Sequence, residues 1–161
     1  MPAVDQTGQA VRQDTLYRLG RIISQIFHPT VNGFASYLLV GVNGPGIASV
    51  RSGLGWAATS ILVVLTPPSL YFYLRLFKGH YSDDDVSHRS ERTGLYIASV
   101  LSVLVGTYVL YLLGAPTAFL RLNAAAAGVA IVAMLINFRW KISVHSASIG
   151  TLAMLATLFT Q

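Results

Sequence analysis

GLYIASVLSVLVGTYVLYLL, residues 94–113, runs for 20 residues without a charged side chain. At a rise of about 1.5 Å per residue, one helix of that length measures about 30 Å, the thickness of the hydrocarbon core of a bilayer. The rest of the chain is of the same kind. Hydrophobic residues make up 53% of it and charged residues only 11%, with a mean hydropathy of +0.58. An average soluble domain carries roughly 25% charged residues. These values exclude an ordinary soluble fold and predict an all-α, polytopic transmembrane helical bundle forming a single membrane domain over residues 1–161.

Further apolar stretches lie on either side of the first. The expected spans are 31–50, 54–77, 94–113, 117–138 and 142–159, about five crossings at roughly 20 residues each. Asn32, Asn43, Gly44, Pro45 and Gly46 interrupt the first of them. Pro67 and Pro68 fall inside the second, where a kink is tolerated if a neighbouring helix or hydroxyls such as those of Thr66 and Ser69 satisfy the freed carbonyls. The run Ala124 to Ala127 with Gly128 offers a small-residue surface for close helix approach. Tyr71, Tyr73, Tyr108, Tyr111 and Trp140 lie near the ends of spans, as interfacial aromatics do.

Ahead of the spans, residues 1–30 read as a polar tail and an amphipathic helix. Leu16, Leu19, Ile22, Ile23 and Ile26 recur at helical spacing with Arg18 and Arg21 facing elsewhere, the pattern of a helix lying in the membrane interface. His28-Pro29 ends or kinks that helix. Residues 1–13 are polar, so no signal peptide is expected.

Charge sets the orientation. Of the 11 Lys and Arg, nine (Arg12, Arg18, Arg21, Arg75, Lys78, Arg89, Arg92, Arg139 and Lys141) fall on one side of the expected spans, and Arg51 and Arg121 on the other. The positive-inside rule then predicts a cytosolic N-terminus in a cell (cytoplasmic) membrane. The net charge of +5 comes from basic residues scattered singly at span ends, which argues for lipid headgroups and against nucleic acid as partner. Without cysteine, neither a disulfide framework nor a thiolate metal site is available.

On this topology KGHYSDDDVSHRSERTG (78–94) and RWKISVHSASIG (139–150) share the cytosolic face. Lys141, His145 and Ser148 stand at i, i+4 and i+7, on one side of a helix, with Ser143 and Ser146 flanking. A histidine one turn inside a membrane helix is costly without a partner, which makes it a candidate functional group. The helix N-terminus adds partial positive charge, so that with Lys141, and with Arg89 and Arg92 from the preceding loop, it forms a phosphate cradle. Each piece also has a structural reading: Arg139 and Lys141 as snorkelling topology signals, His145 as a hydrogen-bond partner between helices, and Arg89 and Arg92 as partners of Asp83 to Asp85 and Glu91. The triplet Asp83-Asp84-Asp85 raises Mg²⁺ as a rival, although Ser82 with Asp85 also matches a helix capping box. No metal and no resident cofactor are expected.

Together these motifs, with His28-Pro29 ahead of the first span, resemble the type-2 phosphatidic acid phosphatase superfamily over residues 22–161. The resemblance implies a lipid phosphatase acting on a phosphatidate or an isoprenyl (di)phosphate. In its terms Arg92, with Arg89 beside it, stands for the arginine of the first motif, and Ser143 and His145 for the Ser and His of the second. His145 would protonate the leaving oxygen while Arg92 and Ser143 hold the phosphoryl oxygens. Ile142 and Val144 replace the Pro and Gly of that second motif, and the third motif, with its nucleophilic histidine, has no counterpart between His145 and Gln161. An enzyme of this type would continue past Gln161 into a sixth span carrying an Arg and a His. The alternative expectation is a non-catalytic accessory subunit of a larger membrane assembly, with membrane lipids, other membrane proteins or further copies of itself as partners. A transporter would show internal repeats, and none is found.

Overall fold

The computed structural model describes residues 15–81, 89–140 and 144–159. Among the described residues the fold is all-α: α1 (Thr15–Ile26), α2 (Pro29–Asn43), α3 (Val50–Phe77), α4 (Arg89–Leu112), α5 (Thr117–Asn137) and α6 (Val144–Phe159). Three of these, α3, α4 and α5, are long and apolar enough to cross a membrane. In α1 the side chains of Leu19, Ile22, Ile23 and Ile26 are all exposed, an apolar stripe left uncovered among the described residues.

Three boundaries differ most from expectation. The first expected span, 31–50, stops at Asn43: Gly44 is extended (φ −67°, ψ 141°) ahead of Pro45, and Gly46 takes φ +78°. A residue before proline is pushed out of the helical region, so the break falls where Pro45 dictates. The chain re-enters a helix at Val50, earlier than the expected 54, because the Ser49 hydroxyl caps it by accepting from the Ser52 amide at 3.2 Å. Likewise α4 begins at Arg89 rather than at 94, which moves Arg89 and Arg92 from a loop into a helix.

From α2 to α5, consecutive helices pack antiparallel. Gly33 meets Leu65 and Gly41 meets Gly53 across α2 and α3, while Tyr71 meets Gly94 across α3 and α4. Gly114, at φ +75°, lies in the short turn between α4 and α5. Ala118 of α5 approaches Gly44 at the end of α2, and α6 lies along α2 in the same direction, with Ser148 beside Asn32. One end of the bundle therefore gathers the starts of α2, α4 and α6 and the ends of α3 and α5.

Around a few large apolar side chains, Phe119 and Leu110 among them, much of what lies inside is small or polar. Gly41, Gly53, Ala57, Ser60, Gly106, Ala118 and Asn123 are buried, whereas Leu62, Leu101, Val105 and Phe77 face outward, the last 84% exposed. A soluble protein arranges these classes the other way round; lipid as solvent removes the penalty on outward leucine and rewards close van der Waals contact inside. At the α2–α3 crossing, a Cβ on Gly53 would lie 1.8 Å from the Gly41 carbonyl oxygen. The Ala124 to Ala127 run behaves differently from expectation: Ala127 is buried, but Ala124, Ala125 and Gly128 face outward, and a Cβ on Gly128 would meet nothing within 4 Å. Close approach within the chain is made instead by glycines that read in the sequence as interruptions.

The prolines in α3 are accommodated by Ser102 and Gly106 of α4 and by a local change of helix type. Pro67 and Pro68 lack amide hydrogens, which frees the carbonyls four residues back, at Val63 and Val64. The segment Ile61–Leu65 loosens into a π-helix. The Ser102 hydroxyl on α4 donates to the Val64 carbonyl at 2.7 Å, and the Thr66 hydroxyl donates to the Ile61 carbonyl at 3.0 Å. Gly106 lets the α4 backbone close on the same segment, since a Cβ there would lie 2.9 Å from the Val63 oxygen. Each such interhelical hydrogen bond contributes about 0.6 kcal/mol. In the centre of the bundle the Tyr37 hydroxyl donates to Asn123 Oδ1 at 2.6 Å, tying α2 to α5 beside the buried rings and side chains of Phe119, Leu110 and Val40.

Candidate functional site

The polar groups that the sequence spreads over 120 residues collect at the end where α2, α4 and α6 begin. His28 sits at the N-cap of α2, directly before Pro29, and its Nδ1 accepts from the Thr30 amide at 3.3 Å. That bond occupies the Nδ1 lone pair, so a neutral His28 ring carries its proton on Nε2. The His145 ring, in the first turn of α6, meets His28 edge to face with centroids 5.6 Å apart. Its Nε2 lies 3.5 Å from the Ser24 hydroxyl of α1, the outer limit of a hydrogen bond.

Below this pair a buried amide holds α6 in place. Asn32, 2% exposed, donates through Nδ2 to the Ser148 hydroxyl at 2.9 Å and to the Phe27 carbonyl at 3.0 Å. Ser148 in turn donates to the His145 carbonyl at 2.9 Å. Its proton and a lone pair are thus committed, and Ser148 serves α6 rather than a ligand.

On the other side of His28, Phe72 of α3 lies 5.9 Å away and stacks on Tyr81 at 5.8 Å. Glu91 and Arg92 occupy the first turns of α4; Arg92 is buried, and the Glu91 carboxylate bears on Tyr81. Burial pushes the Tyr81 phenol above its ordinary range, Tyr71 and Glu91 add to the rise, and the Arg75 guanidinium opposes it.

The structure thus brings His145 and Ser148 to the face of α6 that meets α2. Arg92 shares this end of the bundle, but the partners of the His145 ring are Ser24 and His28. Lys141, Ser143, Ser82 and the Asp83 to Asp85 triplet lie outside the described residues, as does the side chain of Arg89. Among the described residues no group of three or more His, Cys, Asp and Glu is placed to hold a metal.

Sequence reasoning missed His28 and Asn32 as members of this cluster. His28 read as a helix breaker and, with Pro29, as part of the family resemblance, but not as a site residue, and Asn32 read only as an interruption. The available signal was their type: a polar side chain beside or within an apolar run has to find a partner in the bundle.

Fold and cluster together define the class: a helical membrane protein with a histidine-bearing polar end. No protein-family model matches the chain, and neither does any curated protein or solved structure.

Proposed function

We propose that the chain is a multi-pass protein of the cytoplasmic membrane that handles the phosphate of a lipid phosphate at its cytosolic end, in the manner of a type-2 phosphatidic acid phosphatase. The observation that supports this reading is the meeting of His28 and His145 at 5.6 Å, at the end where Arg92 also begins its helix. Two imidazoles and guanidinium groups are what phosphate-ester chemistry uses, because the work is charge stabilisation and proton transfer. His145 would protonate the leaving oxygen, while Arg92, Arg89, Lys141 and Ser143 hold the phosphoryl oxygens. His28, its proton held on Nε2 by the Thr30 bond, adds a donor toward the same phosphate. In this reading the attacking group comes from outside the matched motifs.

The topology of this proposal has about five spans, α2 and α6 being the short ones. At 15 and 16 residues they measure about 23 Å, a deficit that local bilayer thinning and flanking residues absorb at modest cost. The native chain has no cysteine, so an introduced thiol reports its own location. His80, exposed after the end of α3, is a suitable site. His80→Cys should react with a membrane-impermeant maleimide from the cytosolic side only; labelling from outside the cell would reverse the orientation.

Function is tested by phosphate release from purified chain in nanodiscs, over a panel of phosphatidate and isoprenyl mono- and diphosphates. The expected result is release that falls by about a hundredfold or more in His145→Ala, the usual contribution of a general acid. Release unchanged in that variant would remove the role given to His145. A second reading, a structural subunit, is favoured by the way Ser148 and Asn32 already satisfy each other across α2 and α6. Absence of release on every substrate, with the chain co-purifying with fixed partners, would decide for that reading.

A further inference from the structure

Beyond Phe72 lies a second polar cluster that the histidine pair does not use. Arg75, in the last turn of α3, has its guanidinium carbon 5.7 Å from the ring centroids of both Tyr71 and Tyr81. Two aromatic faces hold the cation in one place. The guanidinium bears on the Tyr81 oxygen as a hydrogen-bond donor, while the Arg75 Nε–H and the proton of the Tyr81 hydroxyl, on a residue only 6% exposed, are buried and find no acceptor. Two donors left unpaired this close together are costly, and one acceptor between them would satisfy both.

The pair is held by the backbone. The amide of Gly79 donates to the Leu76 carbonyl and that of His80 to the Arg75 carbonyl, at 3.0 and 2.9 Å, with Gly79 at φ +68°. This helix-ending motif folds the chain back over the last turn, and it carries Tyr81 onto Phe72 and Arg75. Glycine is required at that φ, so the fold-back is encoded in Lys78-Gly79-His80.

Charge and depth indicate the ligand. Lys78 and His80 are exposed beside the site, and Leu74 and Phe77 project apolar surface next to it, the arrangement expected where a span meets the headgroup layer. Glu91 faces Tyr81 from α4 and, with burial and Tyr71, keeps the phenol protonated and able to donate; Arg75 is the opposing charge. An acceptor with several oxygens and negative charge fits a guanidinium and a phenol together, and phosphate is the group that meets this description.

We propose that Arg75 and Tyr81 form a binding site for a phosphate group, either the headgroup of an anionic phospholipid or free phosphate, separate from His145. The site stands on its own geometry and does not depend on the phosphatase reading.

The test uses the purified full chain in detergent, with bound lipid counted by native mass spectrometry during titration with phosphatidylglycerol or phosphatidylcholine, and inorganic phosphate titrated by calorimetry in a second arm. Wild type should retain one phosphatidylglycerol at least about tenfold more tightly than phosphatidylcholine, whose own choline cation offsets its phosphate charge against Arg75. Arg75→Gln should abolish that preference, and Tyr81→Phe, a change that keeps the ring stack, should weaken it several-fold. His145→Ala should leave it intact. If phosphate alone binds and Arg75→Gln removes it, the ligand is the free ion. Equal retention of the two lipids without phosphate binding, or binding unchanged in both Arg75→Gln and Tyr81→Phe, overturns the proposal.

Discussion

Gly53→Leu should prevent α2 and α3 from packing, while Gly55→Leu, two residues away on the same helix, should be harmless. A Cβ on Gly53 would fall 1.8 Å from the Gly41 oxygen, 2.7 Å from its carbonyl carbon and 2.8 Å from Ile47 Cγ2, and the first two are backbone atoms that cannot rotate aside. On Gly55 it would meet nothing within 4 Å. Overpacking a well-fitted core costs roughly 1–3 kcal/mol, and a clash with backbone belongs at or above the upper end. The loss is compounded because membrane helices associate through van der Waals contact that these glycines permit. Both variants should be compared by thermal unfolding in detergent and by size-exclusion profile. Equal, wild-type behaviour of the two would show that α2 and α3 do not cross at Gly41 and Gly53.

The second large effect is expected at Asn32. Its Nδ2 bonds Ser148 and the Phe27 carbonyl, so alanine there leaves a half-buried hydroxyl and the Phe27 carbonyl without their donor. An unsatisfied buried group costs about 1–3 kcal/mol, and a half-buried pair together belongs within that range. Helix α6 has little else to hold it, since no residue of Val144–Phe159 is fully buried and its main packing is against α2. Asn32→Ala should therefore release α6 locally and leave the α3–α4–α5 packing in place. Amide hydrogen exchange would report this as at least about tenfold faster exchange over residues 144–159, given that 1.4 kcal/mol is a factor of ten, with residues 94–112 unchanged. Faster exchange throughout would mean that Asn32 supports the whole bundle; no change would mean that α6 is held by its apolar contacts alone. Because His145 rides on α6, the same variant should also disturb the His28–His145 contact.

The parts of the site that could be read in advance were those whose role is local. His145 and Ser148 share a helix face because a three-residue spacing puts them there, and α6 turns that face to α2. Hydroxyls were expected to satisfy the carbonyls that Pro67 and Pro68 free; the Thr66 hydroxyl bonds the Ile61 carbonyl instead, and it is Ser102 of the neighbouring helix that serves Val64. Arg92 was expected in a loop, but lies buried in the first turns of α4. The helix starts earlier than hydropathy alone indicates, since polar residues can occupy the end of a helix that continues beyond an apolar span.

From its sequence alone this protein is a helical chain built for an apolar solvent. Hydropathy and helix-breaking residues are properties of short segments, and they locate α3, α4 and α5 without reference to any neighbour. Only the tertiary structure decided which small residues touch and which polar residues meet. Asn32 and Ser148 are 116 residues apart, and Ser24 and His145 are 121 apart. Inside a helix bundle in lipid, every face is apolar enough to be either lipid-facing or buried, so hydrophobic periodicity carries little information about packing. The choice is made by shape and by hydrogen bonds: a glycine where two backbones cross, an amide where a hydroxyl needs a donor, a serine beside a carbonyl that proline has freed.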